Sequence, residues 1–277
     1  MTTILDQIAD RTRQRMADEE AVLPTEALAA QARALADEEL QAGGGAFTFP
    51  FEAALRAPEF SFICEVKKAS PSKGVIAEEF PYLRIAKDYE AAGASAISCL
   101  TEPFWFLGAD EYLATIAAEV STPVLRKDFV VCPRMIYQAK VLGASAVLLI
   151  CAILTDEELA EYGALAESLG LSVLYEAHDA EEVRRALAAG ARILGVNNRN
   201  LKDFSVDLGN AGRLVDLIPP DVVYVAESGV AGPEDVEAIA AMGAQAALVG
   251  EALMRSEDKV ATLASFKEAA QRGGRTR

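Results

Sequence analysis

The first fifty residues carry a helical pattern of apolar positions. In residues 4–23 and 25–41 the apolar side chains recur three or four positions apart, and residues 43–45 are consecutive glycines, which disfavour helix. The pattern predicts two helices that end before these glycines. Because the pattern changes after this point, we interpret residues 1–50 as an N-terminal helical extension packed on the domain that follows.

Beyond residue 50 a repeating unit begins. Four times an alanine-rich helical stretch is followed by an apolar residue, a glycine, an alanine and a short apolar strand. The glycines are 50, 47 and 53 residues apart: Gly93, Gly143, Gly190 and Gly243. A glycine that closes a helix permits a tight turn into a buried strand. Four further strands, each ending in charge, lie between these units. The eight predicted strands are residues 60–65, 95–100, 123–127, 145–150, 171–176, 192–196, 221–227 and 245–249.

Eight strands that alternate with helices over about 230 residues, roughly 29 residues per unit, are typical of a (β/α)8 TIM barrel. We therefore predict the α/β class, with residues 51–277 forming the catalytic barrel. The alternative is an open doubly wound sheet, which often carries a glycine-rich nucleotide loop. No G-x-G-x-x-G motif follows any predicted strand, which favours the closed barrel.

Composition and charge restrict the classes of partner. Hydrophobic residues make up 52% of the chain and charged residues 25%, as in ordinary globular proteins. The net charge of -16 repels nucleic acids and anionic membranes, so we expect neither as a partner. The longest apolar stretch, residues 144–154, is too short for a membrane span, and no signal pattern begins the sequence. A cytoplasmic location is expected.

The cysteines and the histidine predict no metal site. The four cysteines contain no C-x-x-C pair, and three of them lie in apolar runs where a thiol packs as a small hydrophobe. A single histidine, His178, cannot form a multi-histidine centre. We interpret His178 as a packing or hydrogen-bonding residue rather than an acid or base.

Charged and amide side chains collect where the predicted strands end, which is where the active site of such a barrel forms. Alternation along a strand places Glu65 beside Lys67, and Asn197 beside Arg199. The complete set at these ends is Glu65, Lys67, Lys127, Glu176, Asn197, Arg199 and Glu227. One interpretation is that the ionised groups only neutralise one another. Their recurrence on alternate strands favours a catalytic site instead.

Two glycine-containing turns follow the last two strands. Ser228 and Gly229 follow strand 7, and Gly250 and Glu251 follow strand 8. Barrels often bind a phosphate at these two strand ends, through backbone N–H groups and helix N-termini. The segment 67–80 after strand 1 is basic, contains Pro and Gly, and is long for such a loop. We expect it to cover the site.

Six segments carry a resemblance to a known family. They are residues 65–74 (EVKKASPSKG), 100–103 (LTEP), 125–129 (LRKDF), 195–201 (GVNNRNL), 225–229 (VAESG) and 249–254 (VGEALM). In order and over nearly the whole chain, the sequence resembles the indole-3-glycerol-phosphate synthases, which also have extra helices ahead of the barrel. The resemblance implies ring closure, decarboxylation and dehydration of 1-(2-carboxyphenylamino)-1-deoxyribulose 5-phosphate in tryptophan biosynthesis, without a cofactor.

The resemblance also implies roles for individual residues. Lys127 is the expected general acid for ring closure, Glu176 the base and Lys67 an acid in the dehydration, and which lysine serves which step stays open. Glu65 is expected to orient Lys127 and hold it charged. The expected substrate contacts are Ser70 and Arg199 to the carboxylate, Asn197 and Glu227 as orienting groups, and Ser228, Gly229, Gly250 and Glu251 at the phosphate. The expected partner is this small phosphorylated substrate, and the chain is expected to be monomeric.

Two other functions stay open on the residues alone. One is another phosphate-binding barrel enzyme, such as an aldose-ketose isomerase, which would lack Lys67 and Lys127 together with the extra helices. The other is a catalytically silent barrel that serves as a binding module. The intact charged strand ends disfavour it.

Overall fold

The fold is that of a computed structural model, which describes residues 3–200 and 205–274. Within these residues eight parallel strands form a closed barrel, in the spatial order β1-β10-β9-β8-β7-β6-β5-β4 with β4 returning to β1. The barrel strands are β1 Ser61–Val66, β4 Ala96–Leu100, β5 Val124–Lys127, β6 Ala146–Ile150, β7 Ser172–Ala177, β8 Ile193–Asn197, β9 Val223–Glu227 and β10 Ala246–Val249. The prediction of a (β/α)8 barrel is confirmed.

Each predicted strand overlaps an observed one, and the differences lie at the ends. All eight observed strands begin one or two residues after the predicted start, because the residues that leave each turn are not yet paired in the barrel ladder. Between β1 and the next helix, β2 Ala69–Ser70 and β3 Gly74–Val75 pair as a small antiparallel hairpin. The long loop expected here is therefore partly ordered by its own backbone hydrogen bonds.

Helices surround the barrel and precede it. They are α1 Ile4–Glu20, α2 Thr25–Ala42, α3 Pro50–Leu55, α4 Tyr82–Ala91, α5 Asp110–Glu119, α6 Pro133–Val141, α7 Asp156–Ser168, α8 Ala180–Ala188, α9 Gly209–Leu214, α10 Pro233–Ala241, α11 Glu251–Arg255 and α12 Lys259–Gly273. A capping box between Thr3 and Asp6 begins α1, and another between Thr155 and Glu158 begins α7. Helix α1 ends before the predicted residue 23, because Pro24 disfavours helical backbone at the residue before it.

The four repeated glycines end helices in the way the repeat predicts. Their φ angles are 74° at Gly93, 83° at Gly143, 90° at Gly190 and 96° at Gly243. This left-handed conformation is disfavoured for residues with a Cβ atom, so glycine is required where each helix turns sharply into the next strand.

The N-terminal helices pack against the apolar core of the barrel interior at both of its ends. Phe51 and Leu55 of α3 are buried in the same cluster as inward-facing side chains of the strands, at the end where the strands begin. Leu5 and Ile8 of α1 belong to this cluster at the opposite end. Helix α3 was not predicted. Among the described residues no helix has the length and apolar character that crossing a membrane requires.

Candidate active site

A cavity of about 470 Å³ opens at the carboxyl ends of the strands. All twelve residues expected at the site line it: Glu65, Lys67, Ser70, Lys127, Glu176, Asn197, Arg199, Glu227, Ser228, Gly229, Gly250 and Glu251. Their gathering follows from the topology, because the carboxyl ends of all eight strands meet at one mouth. The chemical role of each remains a prediction.

Lys127 is the cation at the centre of this cavity. Its ammonium nitrogen Nζ lies 3.1 Å from Oε2 of Glu176 and 3.8 Å from Oε2 of Glu227. Burial alone would lower the pKa of Lys127, but the carboxylates of Glu176, Glu227 and Glu65 outweigh it and raise this pKa above its ordinary value. Lys127 is therefore charged throughout the physiological range.

Glu176 is a buried carboxylate held on both oxygens. Oε2 accepts a hydrogen bond from Lys127, and Oε1 accepts one from the Asn197 side-chain amide at 3.1 Å. Burial would raise the pKa of Glu176, but the charge of Lys127, then that of His178 and these hydrogen bonds lower it to about 2. Glu176 is ionised as long as Lys127 keeps its proton.

Glu227 differs from Glu176 although both are buried beside the same lysine. Burial and the neighbouring negative charge of Glu176 raise the pKa of Glu227 well above its ordinary value, and Lys127 compensates only in part. Its Oε1 atom is buried and makes no hydrogen bond to the residues that the structure describes. Gly195 leaves the space for this oxygen, since a Cβ atom at Gly195 would collide with it.

Glu65 pairs with Lys67, as the alternation along β1 predicts. Its carboxylate hydrogen-bonds the ammonium of Lys67, two residues further along the chain. The expected role of Glu65 in orienting Lys127 stays a prediction. The charge of Glu65 still contributes to the raised pKa of Lys127.

The residues on either side of Lys127 are anchored by ion pairs and hydrogen bonds to other elements. Arg126 is fully buried and donates to Asp110 at 2.9 Å and to the backbone oxygen of Met135 at 2.9 Å. Asp128 is also fully buried and accepts from Thr101 at 2.7 Å and from Arg15 of α1 at 2.8 Å. These contacts fix the strand end that presents Lys127.

The turn after β9 has an unusual backbone. Ser228 has a φ angle of 64° and Gly229 one of 99°, so two successive residues are left-handed. This conformation costs about 1 kcal/mol at a residue with a side chain, and such strain is concentrated at functional sites. The neighbouring Gly250 must be glycine for another reason, since a Cβ atom there would collide with the Glu65 carboxylate.

The hairpin after β1 reaches across the mouth. Ser70 is buried and lines the cavity with Pro71, Ser72 and Lys73 of the same segment. The Lys73 ammonium lies 3.6 Å from Oε1 of Glu251, which follows the last strand. The segment therefore covers the cavity between the first and last strands, as expected from its length and composition.

Apolar residues that sequence reasoning did not assign to the site form its other wall. They are Ile4, Leu5, Ile8, Phe106 and Phe129, together with inward-facing aliphatic residues of the strands. The apolar spacing of α1 indicated that Leu5 and Ile8 are buried, but not against which surface. This wall suits a flat aromatic ring.

The chain is similar over most of its length to proteins of one known family. The family model "Indole-3-glycerol phosphate synthase" matches residues 5–266. The chain is 56% identical over 222 residues to an indole-3-glycerol phosphate synthase of Ruminiclostridium cellulolyticum, covering 80% of this chain and 85% of the relative. It is 44% identical over 267 residues to one of Lachnoclostridium phytofermentans, covering 95% and 98%.

The chain belongs to the indole-3-glycerol phosphate synthase family. Among solved structures it is similar in fold to thiamine phosphate pyrophosphorylase from Pyrococcus furiosus, with a TM-score of 0.60 and 15% identity, over 78% of this chain and 97% of that one. At 15% identity this similarity shows only that the two proteins share the barrel fold. Membership of the synthase family confirms the resemblance carried by the six segments and rules against the isomerase alternative.

Proposed function

We propose that the chain catalyses the reaction named by its family, the conversion of 1-(2-carboxyphenylamino)-1-deoxyribulose 5-phosphate into indole-3-glycerol phosphate, carbon dioxide and water. As a member of this family it is a carboxy-lyase. The observation that carries the assignment of roles is the Lys127 ammonium held between the buried carboxylates of Glu176 and Glu227 at the floor of the central cavity.

Ring closure requires a proton donor at the ketone oxygen. The aromatic carbon that bears the carboxylate attacks the ketone carbon, and the oxygen becomes an alkoxide, which is more basic than an amine. Lys127 is our general acid for this step, because its raised pKa ensures that a proton is present when the alkoxide forms.

Decarboxylation follows from the product of ring closure. Attack leaves positive charge on the ring and the attached nitrogen, conjugated to the carbon that bears the carboxylate. The electron pair of the breaking C–C bond neutralises this charge and restores the aromatic ring. The substrate is thus its own electron acceptor, and the role of the protein is to hold the ring against the apolar wall of the cavity.

Dehydration needs one acid and one base. The hydroxyl leaves as water after it accepts a second proton, which we assign to the ammonium group of Lys67 or Lys127. Glu176 is the base that removes a proton from the methylene carbon. Because the charge of Lys127 is what holds the pKa of Glu176 low, loss of the Lys127 proton makes Glu176 a stronger base when it is needed.

The remaining residues of the cavity are assigned to binding. Ser70 and Arg199 are proposed to contact the carboxylate, with Asn197 and Glu227 orienting the reacting part of the substrate. The phosphate is assigned to Ser228, Gly229, Gly250 and Glu251. The left-handed backbone after β9 and the adjacent turn after β10 support this end of the assignment, since both line the same cavity.

We also propose that the protein acts as a cytoplasmic monomer. All twelve proposed site residues come from one chain, so the site needs no partner copy. Sedimentation at increasing protein concentration tests the monomer, and a rise in activity with association would contradict it.

The activity itself is tested by adding the substrate to purified protein and recording indole fluorescence. We expect fluorescence to rise with release of one carbon dioxide per indole formed. Fluorescence that stays at the level of a protein-free sample would refute the proposed reaction.

A further inference from the structure

His178 lies directly behind the proposed base. Its Nδ1 atom is 2.9 Å from Oε2 of Glu182, and this same oxygen accepts the His178 backbone N–H at 2.8 Å. Its Nε2 atom lies 3.6 Å from Oε1 of Glu176, is buried, and has no hydrogen-bond partner among the described residues. The imidazole therefore stands between two carboxylates, one of which belongs to the proposed active site.

The two carboxylates line different cavities. Glu176 lines the central cavity, whereas His178 and Glu182 line a second cavity of about 540 Å³ beside it. Leu5, Asn197 and Arg199 border both cavities and so form the wall between them. The pair of Glu176 and His178 crosses this wall.

The proposed reaction consumes one proton in each turnover. Two protons are added to the ketone oxygen, which leaves as water, and one is removed from the methylene carbon. This count of protons agrees with the change in net charge from substrate to products. The substrate has a negatively charged carboxylate, which leaves as neutral carbon dioxide, and the ring keeps the electron pair of the broken bond. One proton must therefore reach the active site from solvent in each turnover, and a path that does not run through the central cavity can supply it while the substrate is bound.

The structure offers a path for this proton to Lys127. Oε2 of Glu176 is 3.1 Å from the Lys127 ammonium, and Oε1 of the same carboxylate faces Nε2 of His178. Once Lys127 has given its proton to the alkoxide, its neutral amine is a stronger base than imidazole, so transfer from an imidazolium is downhill.

We propose that His178 delivers the consumed proton from the second cavity, through Glu176, to Lys127. The proposal rests on the roles assigned above to Lys127 and Glu176. The Nε2–H bond of the imidazolium breaks as Oε1 of Glu176 gains the proton. The carboxyl group then rotates to turn this O–H bond toward Lys127, and the bond breaks as the Lys127 nitrogen gains the proton. Rotation of the ring about its Cβ–Cγ bond brings the bare nitrogen to the second cavity, where it takes a proton from water. His178 acts on the reaction only through Glu176, so it is a positioning residue and not a catalytic one.

The charges around His178 favour its protonated form. Burial would lower the pKa of His178, but the hydrogen bond to Glu182 and the charges of Glu176 and Glu182 raise it above 6.5, against the opposing charge of Lys127. The other charged residues that line the second cavity are Asp6, Asp179, Arg199, Asp207 and Arg213. Because the protonated form is the donor, delivery weakens as the pH rises through the raised pKa of His178.

The test is the pH profile of kcat for four proteins: wild type, His178→Gln, Glu182→Gln and the control Glu181→Gln. Glu181 is one residue from Glu182, is exposed, and pairs with Arg184 on the surface at 2.9 Å. We expect His178→Gln to lower kcat by about 10-fold or more near neutral pH, with KM nearly unchanged. Glu182→Gln is expected to move the alkaline fall of kcat downward by about one pH unit, and Glu181→Gln to leave it in place.

A second measurement separates proton delivery from a packing role. His178→Ala opens space at the second cavity, and added imidazole is expected to restore part of its kcat. The proposal is overturned if His178→Gln keeps kcat within twofold of wild type at every pH. It is also overturned if kcat falls equally at all pH values, imidazole does not restore it and Glu182→Gln leaves the profile unmoved. In either case the proposed reaction stands if wild type forms indole and Lys127→Ala does not.

Discussion

Replacing Lys127 by alanine tests the centre of the proposed mechanism. The substitution removes the acid for ring closure, and loss of a positioned acid lowers turnover by about 100-fold or more while the substrate still binds. It also leaves the carboxylates of Glu176 and Glu227 buried without their cation at 3.1 and 3.8 Å. Stranding a buried charge costs about 3 kcal/mol of folding stability, so we expect the variant to be less stable as well as slower.

The two effects are separated by a second substitution. Lys127→Ala combined with Glu176→Gln removes the stranded charge, so it is expected to recover stability without recovering turnover. Turnover is followed by indole fluorescence and stability by urea unfolding. Lys87→Ala is the control, because Lys87 is exposed and pairs only with Glu119 among the described residues. If Lys127→Ala keeps near-normal kcat, or the double variant regains it, Lys127 is not the acid.

Three further substitutions test the supporting structure. Glu227→Gln mimics the protonated carboxyl that the raised pKa of Glu227 favours. A carboxyl with a raised pKa destabilises the fold once it ionises. In thermal unfolding we therefore expect the variant to be more stable than wild type at pH 8 and similar to it near pH 4. Gly195→Ala places a Cβ atom against the Glu227 carboxylate, and kcat is expected to fall at least as far as in Glu227→Gln, whereas an unchanged kcat would show that the Glu227 position is not critical. Asp128→Asn removes the carboxylate that pairs with Arg15 at 2.8 Å and lies 3.5 Å from Arg126, and urea unfolding at pH 7 should show a loss of about 3 kcal/mol. Because the pKa of Asp128 is below its ordinary 3.8, that loss should shrink only as the pH falls below this value.

The barrel and its site were predictable from sequence because both depend on local patterns and on one topological rule. The repeated glycines marked where helices turn into strands, and the strand-end rule then gathered residues as distant as Glu65 and Gly250 at one mouth. Which side chains of different strands pair with each other was harder to predict. Nothing in the local sequence showed that Lys127 would pair with Glu176 and Glu227, which lie on other strands. The pair of Glu65 and Lys67 was an exception, because alternation along β1 places the two side chains on one side.

Contacts made by the N-terminal extension were also beyond sequence reasoning. The ion pair of Arg15 with Asp128 joins residues 113 positions apart, and no periodicity specifies such a pairing. Apolar spacing showed that α1 has a buried face, but the face could pack on any exposed apolar surface. His178 was expected to be a packing or hydrogen-bonding residue, and it does hydrogen-bond Glu182. The proton delivery proposed for it was not predicted, because the sequence does not show that its Nε2 atom faces Glu176.

The charges of the cavity explain why the two buried residues Glu176 and Glu227 need opposite protonation states. With Glu65, Glu176 and Glu227 all ionised, the cluster would carry one more negative charge than Lys67 and Lys127 balance, and it would repel an anionic substrate. The raised pKa of Glu227 favours a proton on this carboxyl and makes the cluster neutral, while the low pKa of Glu176 keeps a base beside the acid. The asymmetry arises first from charge, because Lys127 lies closer to Glu176 than to Glu227 and Glu227 faces the charge of Glu176. Hydrogen bonding adds to it, since Asn197 donates to Glu176, whereas Oε1 of Glu227 has no donor among the described residues. The same cavity can thus bind an anion and still hold an ionised base against it.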